Sequence, residues 1–285
     1  MRITRTIAEA RAALRELRSE GQIVGLVPTM GALHAGHASL VRAACAQSDL
    51  VVVSIFVNPT QFAPNEDFAK YPRTWEDDCA LLKRERVNLL FAPSTQEMYP
   101  DGASTFIEVV GLSGRLDGAS RPGHFHGVAT VVAKLFQIIQ PAKAFFGQKD
   151  AAQIAVLRRM VRDLDFNLEL VVCPTVREPD GLALSSRNRY LSPDERRQAL
   201  VLSRALRRTE EQAAQGITGS EQLVRAAFAV FAEEPEVRVD YCKVVNPDTL
   251  EDVADSAGGA LVAVAAFVGT TRLIDNIVLH PAGHH

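Results

Sequence analysis

The chain has neither a Gly-x-Gly-x-x-Gly turn after its first apolar strand nor a Gly-x-x-x-x-Gly-Lys-[Ser/Thr] loop anywhere, which argues against a dinucleotide dehydrogenase and a P-loop ATPase. No apolar run reaches the roughly 20 residues that cross a bilayer. Cys45, Cys79, Cys173 and Cys242 are isolated, without a Cys-x-x-Cys, and this predicts reduced, mostly buried thiols and a cytoplasmic protein. No basic run is long enough to neutralise a nucleic-acid backbone, and 31 Lys and Arg against 34 Asp and Glu leave a formal net charge of −3. A general binder of nucleic acid or membrane surface is thereby excluded, while local clusters can still take small anions. Internal repeats and low-complexity segments are absent. Met1 to Gly21 lacks the apolar centre of a signal peptide and, with Arg and Glu interleaved, predicts a first helix. His284 and His285 have the look of an expression tag and are set apart from any site.

What is present is a chain of 285 residues, 47% hydrophobic, enough to bury a sizeable core in one large and one small domain. Its centre is Val27-Pro28-Thr29-Met30-Gly31-Ala32-Leu33-His34-Ala35-Gly36-His37. A strand pattern over Gln22 to Leu26 is broken by Pro28 and Gly31, and helical spacing follows from Ser39 to Cys45. In a strand, turn and helix, unpaired N–H groups and the positive end of the helix dipole face an anion in the turn, and Gly31 and Gly36 let a phosphate approach. His34 and His37 either cap the helix or donate to phosphate oxygens, a protonated imidazole then neutralising charge on a leaving pyrophosphate. The strand-turn-helix context favours the second role.

Leu50 to Val57 is a continuous apolar run, as in a central parallel strand. Asn58-Pro59-Thr60-Gln61-Phe62 ends it and places amides at the strand's carboxyl edge, where open α/β sheets bind ligands. Gln61 is the stronger candidate, since Asn58 is equally a turn-former before proline. Beyond Tyr71, Thr74 is the expected N-cap of a helix with Asp77 at its third position, and Asp77 or Asp78 is a minority candidate for magnesium. Strand-like Val87 to Phe91 and helical Thr130 to Ile139 continue the alternation across an irregular stretch from Gly111 to Gly127. Its His124-Phe125-His126 lacks the further close ligands zinc needs and is expected to be a structured loop.

Ala144 to Asp150 forms a second strand and glycine turn before a helix from Ala151 to Leu164. Lys149 offers a point charge to a phosphate, Asp150 a helix cap, and Gln153 faces the same cleft from one turn inside. A strand from Leu168 to Val172 closes the βα series. Leu184-Ser185-Ser186-Arg187 is either a solvated linker or a mobile phosphate clamp. Helices over Pro193 to Gln215 and Glu221 to Glu233, and strands over Arg238 to Val245, Ala260 to Val268 and Arg272 to Leu279, complete the chain. The expected fold is α/β, a Rossmann-like doubly wound parallel sheet in residues 1–175, with a smaller α+β domain in residues 176–285.

Six segments carry a resemblance to the pantothenate synthetase family, the ligases that join pantoate to β-alanine. They are Pro28 to His37, Ser54 to Phe62, Tyr71 to Thr74, Arg121 to Phe125, Phe146 to Asp150 and Asp180 to Asn188, and Arg272 to Asn276 also fits. His-x-Gly-His alone marks a broad nucleotidyl-transfer superfamily; the ordered set is far more specific. The resemblance implies that Met30, Gly31, Ala32, Leu33, His34, Ala35, Gly36 and His37 bind ATP together with Gly147, Gln148, Lys149 and Asp150. Val176 and Leu184 to Arg187 would complete that site. It implies His37 as proton donor, with His34, Lys149, Ser185 and Arg187 as catalytic partners, Gln61 and Gln153 on pantoate, and Asn58 and Tyr71 lining the cavity. Mg2+, a homodimer and a pantoyl adenylate intermediate are further implications; the metal ligands are not specified. Ala151 and Ala152 depart from the family's aromatic and glutamine, a loss of bulk expected to raise KM for pantoate. Two rivals share parts of this pattern. A nucleotidyltransferase acting on a phosphorylated cofactor would need basic groups where Asn58, Gln61 and Gln153 stand, and a non-catalytic nucleotide sensor would bind ATP without turnover.

Overall fold

The alternation of strand and helix that the sequence predicts is drawn out in a computed structural model, which describes residues 1–63 and 68–281. His284 and His285 lie outside the described residues. The first half runs β1 (Arg2–Thr4), α1 (Ile7–Leu17), β2 (Val24–Thr29), α2 (Ala35–Gln47), β3 (Leu50–Ile55), α3 (Trp75–Arg84), β4 (Leu89–Phe91) and α4 (Thr95–Met98). It continues through α5 (Asp117–Ser120), α6 (His124–Ile139), β5 (Lys143–Gly147), α7 (Ala151–Asp163) and β6 (Glu169–Cys173). Then follow α8 (Pro193–Ala214), α9 (Ser220–Phe231), β7 (Arg238–Val245), β8 (Ala260–Val268) and β9 (Thr271–Leu279). Among the described residues, no helix is long and apolar enough to cross a membrane.

Six strands make one parallel sheet in the order β1-β4-β3-β2-β5-β6. Because side chains alternate along a strand, the two faces feed two cores. Val24, Leu26, Leu50, Val52, Phe91 and Phe146 pack with α1, α6 and α7. Val27, Val51, Val53, Leu90 and Phe145 pack with α2 and α3. Helix α6 is apolar on nearly every side and has twelve buried residues, as expected of a helix enclosed between sheet and neighbours. The second sheet is antiparallel, β7-β8-β9, and packs its Val262, Val264 and Ala266 face on Leu202, Leu206 and Leu223 of α8 and α9.

Four local expectations are corrected. The opening is not purely helical: β1 pairs with β4 at the sheet edge before α1 begins, and of its three residues only Thr4 is buried, too little for a side-chain pattern. Pro28 lies inside β2 instead of ending it. The strand tolerates it because β5 pairs with β2 only at Gly25 and Leu26, so no neighbour on that side seeks the missing N–H. Helix α6 begins at His124, not Thr130, so His124 and His126 sit in its first turn. Finally, neither Thr74 nor Asp150 caps its helix by a side-chain hydrogen bond; both side chains have other partners.

Candidate active site

β2 has β3 on one side and β5 on the other, the strand order advancing to one side through β3 and β4 and to the other through β5 and β6, and a crevice opens outside the carboxyl ends of strands at such a switch point. The turns after β2 and β5 therefore face each other. In the first, the Thr29 hydroxyl donates to the Ser54 carbonyl at 2.7 Å and accepts from the Gly31 N–H at 3.2 Å. Gly31 and Ala32 both have positive φ, 83° and 51°, a conformation costly for alanine. Asp78 of α3 holds it: one carboxylate oxygen accepts from Ala32 N–H at 3.0 Å, the other from Leu33 N–H at 2.8 Å and from the Thr74 hydroxyl at 3.0 Å. Asp78 is 2% exposed and is committed to the turn, which removes it as a magnesium candidate. The expectation of unpaired N–H groups facing a ligand is likewise corrected at Gly31, Ala32 and Leu33, whose N–H groups are satisfied internally.

The two histidines cap α2 reciprocally. His34 Nδ1 accepts from Gly36 N–H at 3.1 Å and His37 Nδ1 accepts from His34 N–H at 3.3 Å, with ring centroids 4.2 Å apart. Since both Nδ1 atoms accept, both ring protons sit on Nε2. Burial lowers His34 to about 4, helped by the positive charges of Lys149 and Arg189, and lowers His37 to about 3, helped by His34. Both rings are thus neutral at pH 7. The protonated imidazole expected from sequence is replaced by two neutral Nε2–H donors. A Cβ on Gly36 would lie 2.9 Å from the His34 ring and 3.8 Å from Leu184, so the glycine admits both the ring pair and the 184–187 loop.

After β5, residues 148–150 make one 3-10 turn. The Lys149 side chain is 19% exposed, its ammonium 3.7 Å from Asp150. The loop that follows Val176 returns to the same place: Leu184 N–H donates to the Val176 carbonyl at 2.9 Å, and Ser185 Oγ accepts from Arg187 N–H at 3.2 Å. Arg177 anchors its base through two bonds to buried Asp275, 2.6 and 3.0 Å. Lys149, Asp150, Gln153, Ser185 and Arg187 all line one cleft of about 750 Å³, together with Asp117 and Arg272. His34 and His37 are not among its lining residues.

Gln61 and Asn58 form a buried amide relay. Asn58, 1% exposed, donates to Gln61 Oε1 and the Gly127 carbonyl, both at 3.1 Å, and accepts from Thr60 and from the Tyr99 hydroxyl at 2.9 Å. Its hydrogen-bonding capacity is spent, so it positions Gln61 and has nothing left to offer a ligand. Gln61 reaches Met30 Sδ at 3.0 Å, and its carbonyl accepts from His124 Nδ1 at 2.8 Å, which gives the Arg121-to-Phe125 motif a supporting role. Tyr71 meets Ser186 hydroxyl to hydroxyl at 3.5 Å. Ala151 and Ala152 are buried in the α6–α7 core. Among the described residues, no three His, Cys, Asp or Glu side chains are grouped to hold a metal.

Asp117 is held in an ion pair with Arg272 at 2.7 Å, and neither this role nor the grip of Asp78 on the turn leaves a trace in the sequence, because Arg272 lies 155 residues from Asp117 and Ala32 and Leu33 lie 46 and 45 residues from Asp78. A family model described as pantoate-beta-alanine ligase matches residues 2–278. A pantothenate synthetase of Acidobacterium capsulatum is 66% identical over 290 residues, 98% of this chain and 97% of that protein. The crystal structure of pantothenate synthetase from Thermus thermophilus is similar with a TM-score of 0.94 at 51% identity, over 99% of this chain and 100% of that one. A pantoate-beta-alanine ligase from Francisella tularensis, complexed with beta-gamma ATP and beta-alanine, has a TM-score of 0.81 at 36% identity, over 98% and 97% of the two chains.

Proposed function

The chain belongs to the pantoate–β-alanine ligase family, and from that premise we propose how its residues carry out an ATP-dependent condensation of pantoate with β-alanine to pantothenate. The observation that carries the reading is the convergence of Lys149, Gln153, Ser185 and Arg187 on one cleft, with the 184–187 loop approaching the histidine turn at Gly36, whose Cβ would lie 3.8 Å from Leu184.

A carboxylate does not acylate an amine at neutral pH, so it must first acquire a leaving group. A pantoate carboxylate oxygen attacks the α-phosphorus of ATP in line; the bond to the bridging oxygen breaks, and pyrophosphate leaves with the electron pair. Lys149 and Arg187 carry full charges toward that pyrophosphate, while His34 and His37 donate through neutral Nε2–H groups. Met30 to His37, Gly147 to Asp150, Val176 and Leu184 to Arg187 form the nucleotide site. Gln61 and Gln153 hold pantoate, with Tyr71 on the wall. The β-alanine amine then attacks the acyl carbon, AMP departs with the acyl–oxygen electron pair, and the amine loses a proton. The mixed anhydride is sensitive to water, so residues 176–285, as a smaller domain, close over residues 1–175 during the reaction.

Mg2+ fits as an ion carried by the triphosphate, a hard cation that needs few protein carboxylates. Of the two carboxylates that line the cleft, Asp117 is paired with Arg272 at 2.7 Å, which leaves Asp150 to the ion, and the ion would supply further charge neutralisation at the phosphates. The protein acts in the cytoplasm as a homodimer; a monomer on sedimentation would remove the dimer.

The test uses pantoate labelled with 18O in its carboxylate. The scheme places one label in AMP, and Lys149→Ala and His37→Ala fold normally but lose adenylate formation on the order of 10²–10³-fold. AMP without label, or full activity in either variant, would overturn it.

A further inference from the structure

β9 is remote from the nucleotide turns in sequence, yet its consecutive residues Asp275 and Asn276 reach two of them. Asp275, 3% exposed, grips Arg177 at the base of the 184–187 loop. Asn276, 4% exposed, turns the other way along the strand. Its Nδ2 donates to two successive carbonyls, Gln148 and Lys149, each at 2.9 Å, and its Oδ1 accepts from Gln148 Nε2 at 3.0 Å. Both amide protons and one carbonyl lone pair are therefore spent on one three-residue turn. A hydroxyl or a carboxylate cannot reproduce that pattern, because neither supplies two protons to two carbonyls.

Lysine is a point charge on a flexible stem, so its placement depends on the backbone that carries it. Lys149 lies in a single 3-10 turn, an element with few hydrogen bonds of its own. From this geometry we infer that Asn276 is a positioning residue for Lys149, fixing its backbone and thereby aiming its ammonium at the charge that develops during adenylate formation. The inference rests on the role given to Lys149 above. Because the amide comes from the antiparallel sheet, it also ties the aim of Lys149 to the seating of that sheet against the parallel one.

The experiment is a double-mutant cycle in the full-length protein, with Asn276→Ala, Lys149→Ala and the double variant, followed by pyrophosphate–ATP exchange in the presence of pantoate. Lys149→Ala alone tests the reading of Lys149; the cycle tests the inference. Asn276→Ala lowers kcat for exchange about 10- to 100-fold, the scale of a displaced reacting group, with KM for pantoate unchanged, and in the Lys149→Ala background it costs less than about threefold. Losses that multiply would mean that Asn276 acts independently of Lys149 and would overturn the inference, as would unchanged kcat in Asn276→Ala. Should Asn276→Ala fail to fold, Asn276→Asp keeps the volume while removing the two donated protons. It follows the same pattern in the cycle, and wild-type kcat in that variant would equally overturn the claim.

Discussion

Asp78→Asn changes almost no volume and isolates what the carboxylate does for the histidine turn. In the wild-type protein, both oxygens accept backbone N–H groups, Ala32 at 3.0 Å and Leu33 at 2.8 Å. An asparagine keeps one acceptor and presents an NH2 group to the other N–H, so one buried donor is orphaned and faces a second donor. A lost charge-assisted bond and an unsatisfied buried group together cost about 3 kcal/mol. Unfolding entropy of about 2.1 cal/mol/K per residue over 285 residues amounts to about 0.6 kcal/mol/K, so Tm should fall by about 5 °C. The effect should extend to activity. Ala32 is held at φ 51° largely by this carboxylate, and relaxation of the turn displaces the His34–His37 cap, lowering the exchange rate about tenfold or more. Calorimetry and exchange kinetics on the same preparation provide both readings. A variant that melts with wild-type protein and reacts at the wild-type rate would refute the assignment, and a changed magnesium requirement at unchanged Tm would restore Asp78 as a metal ligand.

Two further outcomes follow from the same geometry. His34 and His37 have folded pKa values lowered to about 4 and about 3 from 6.5, so below pH 6.5 the unfolded chain binds protons that the native state does not. Their contribution to stability is complete above pH 6.5 and is lost as pH falls toward 4 and 3, at up to about 1.4 kcal/mol per pH unit for each ring; urea titrations from pH 7 to 4 should show this slope, and it should be halved in His34→Gln, with a wild-type slope in that variant counting against the assignment. In Gly127→Ala, the new Cβ would meet the Thr60 carbonyl and lie 2.6 Å from the Gln61 backbone nitrogen. Backbone must move, at a cost of about 3 kcal/mol, and KM for pantoate should rise more than KM for ATP; equal changes in both would argue against Gln61 as a pantoate residue.

What could be read from the sequence was what repeats locally. Val51 to Val53 announces a strand covered on both faces, and β7 and β8 run over Arg238–Val245 and Ala260–Val268, the ranges expected from the sequence. Helix α6 begins six residues before Thr130, where helical spacing first shows in the sequence, because its N-cap is Gly123 at φ 83°, without a side-chain cap, so no Ser, Thr or Asp marks its start. β1 left no periodic trace because its three residues are held by main-chain pairing. The histidine turn was recognisable from its glycines, but its rigidity was not, since Asp78 lies 45 residues beyond Leu33. The same holds for the clasp of Asn276 on Lys149, across 127 residues. Burial also decided the charge state of the imidazoles, and a protonated ring was plausible only while their enclosure was unknown.

The most direct measurement of the account is isotope exchange between pyrophosphate and ATP with magnesium and pantoate present and β-alanine left out. Exchange that requires pantoate alone, with net AMP appearing only after β-alanine is added, is the predicted result, because adenylate formation is complete and reversible before the amine arrives. Exchange that requires β-alanine would contradict a separate first step, and the absence of exchange under both conditions, with ATP bound, would contradict the adenylate itself.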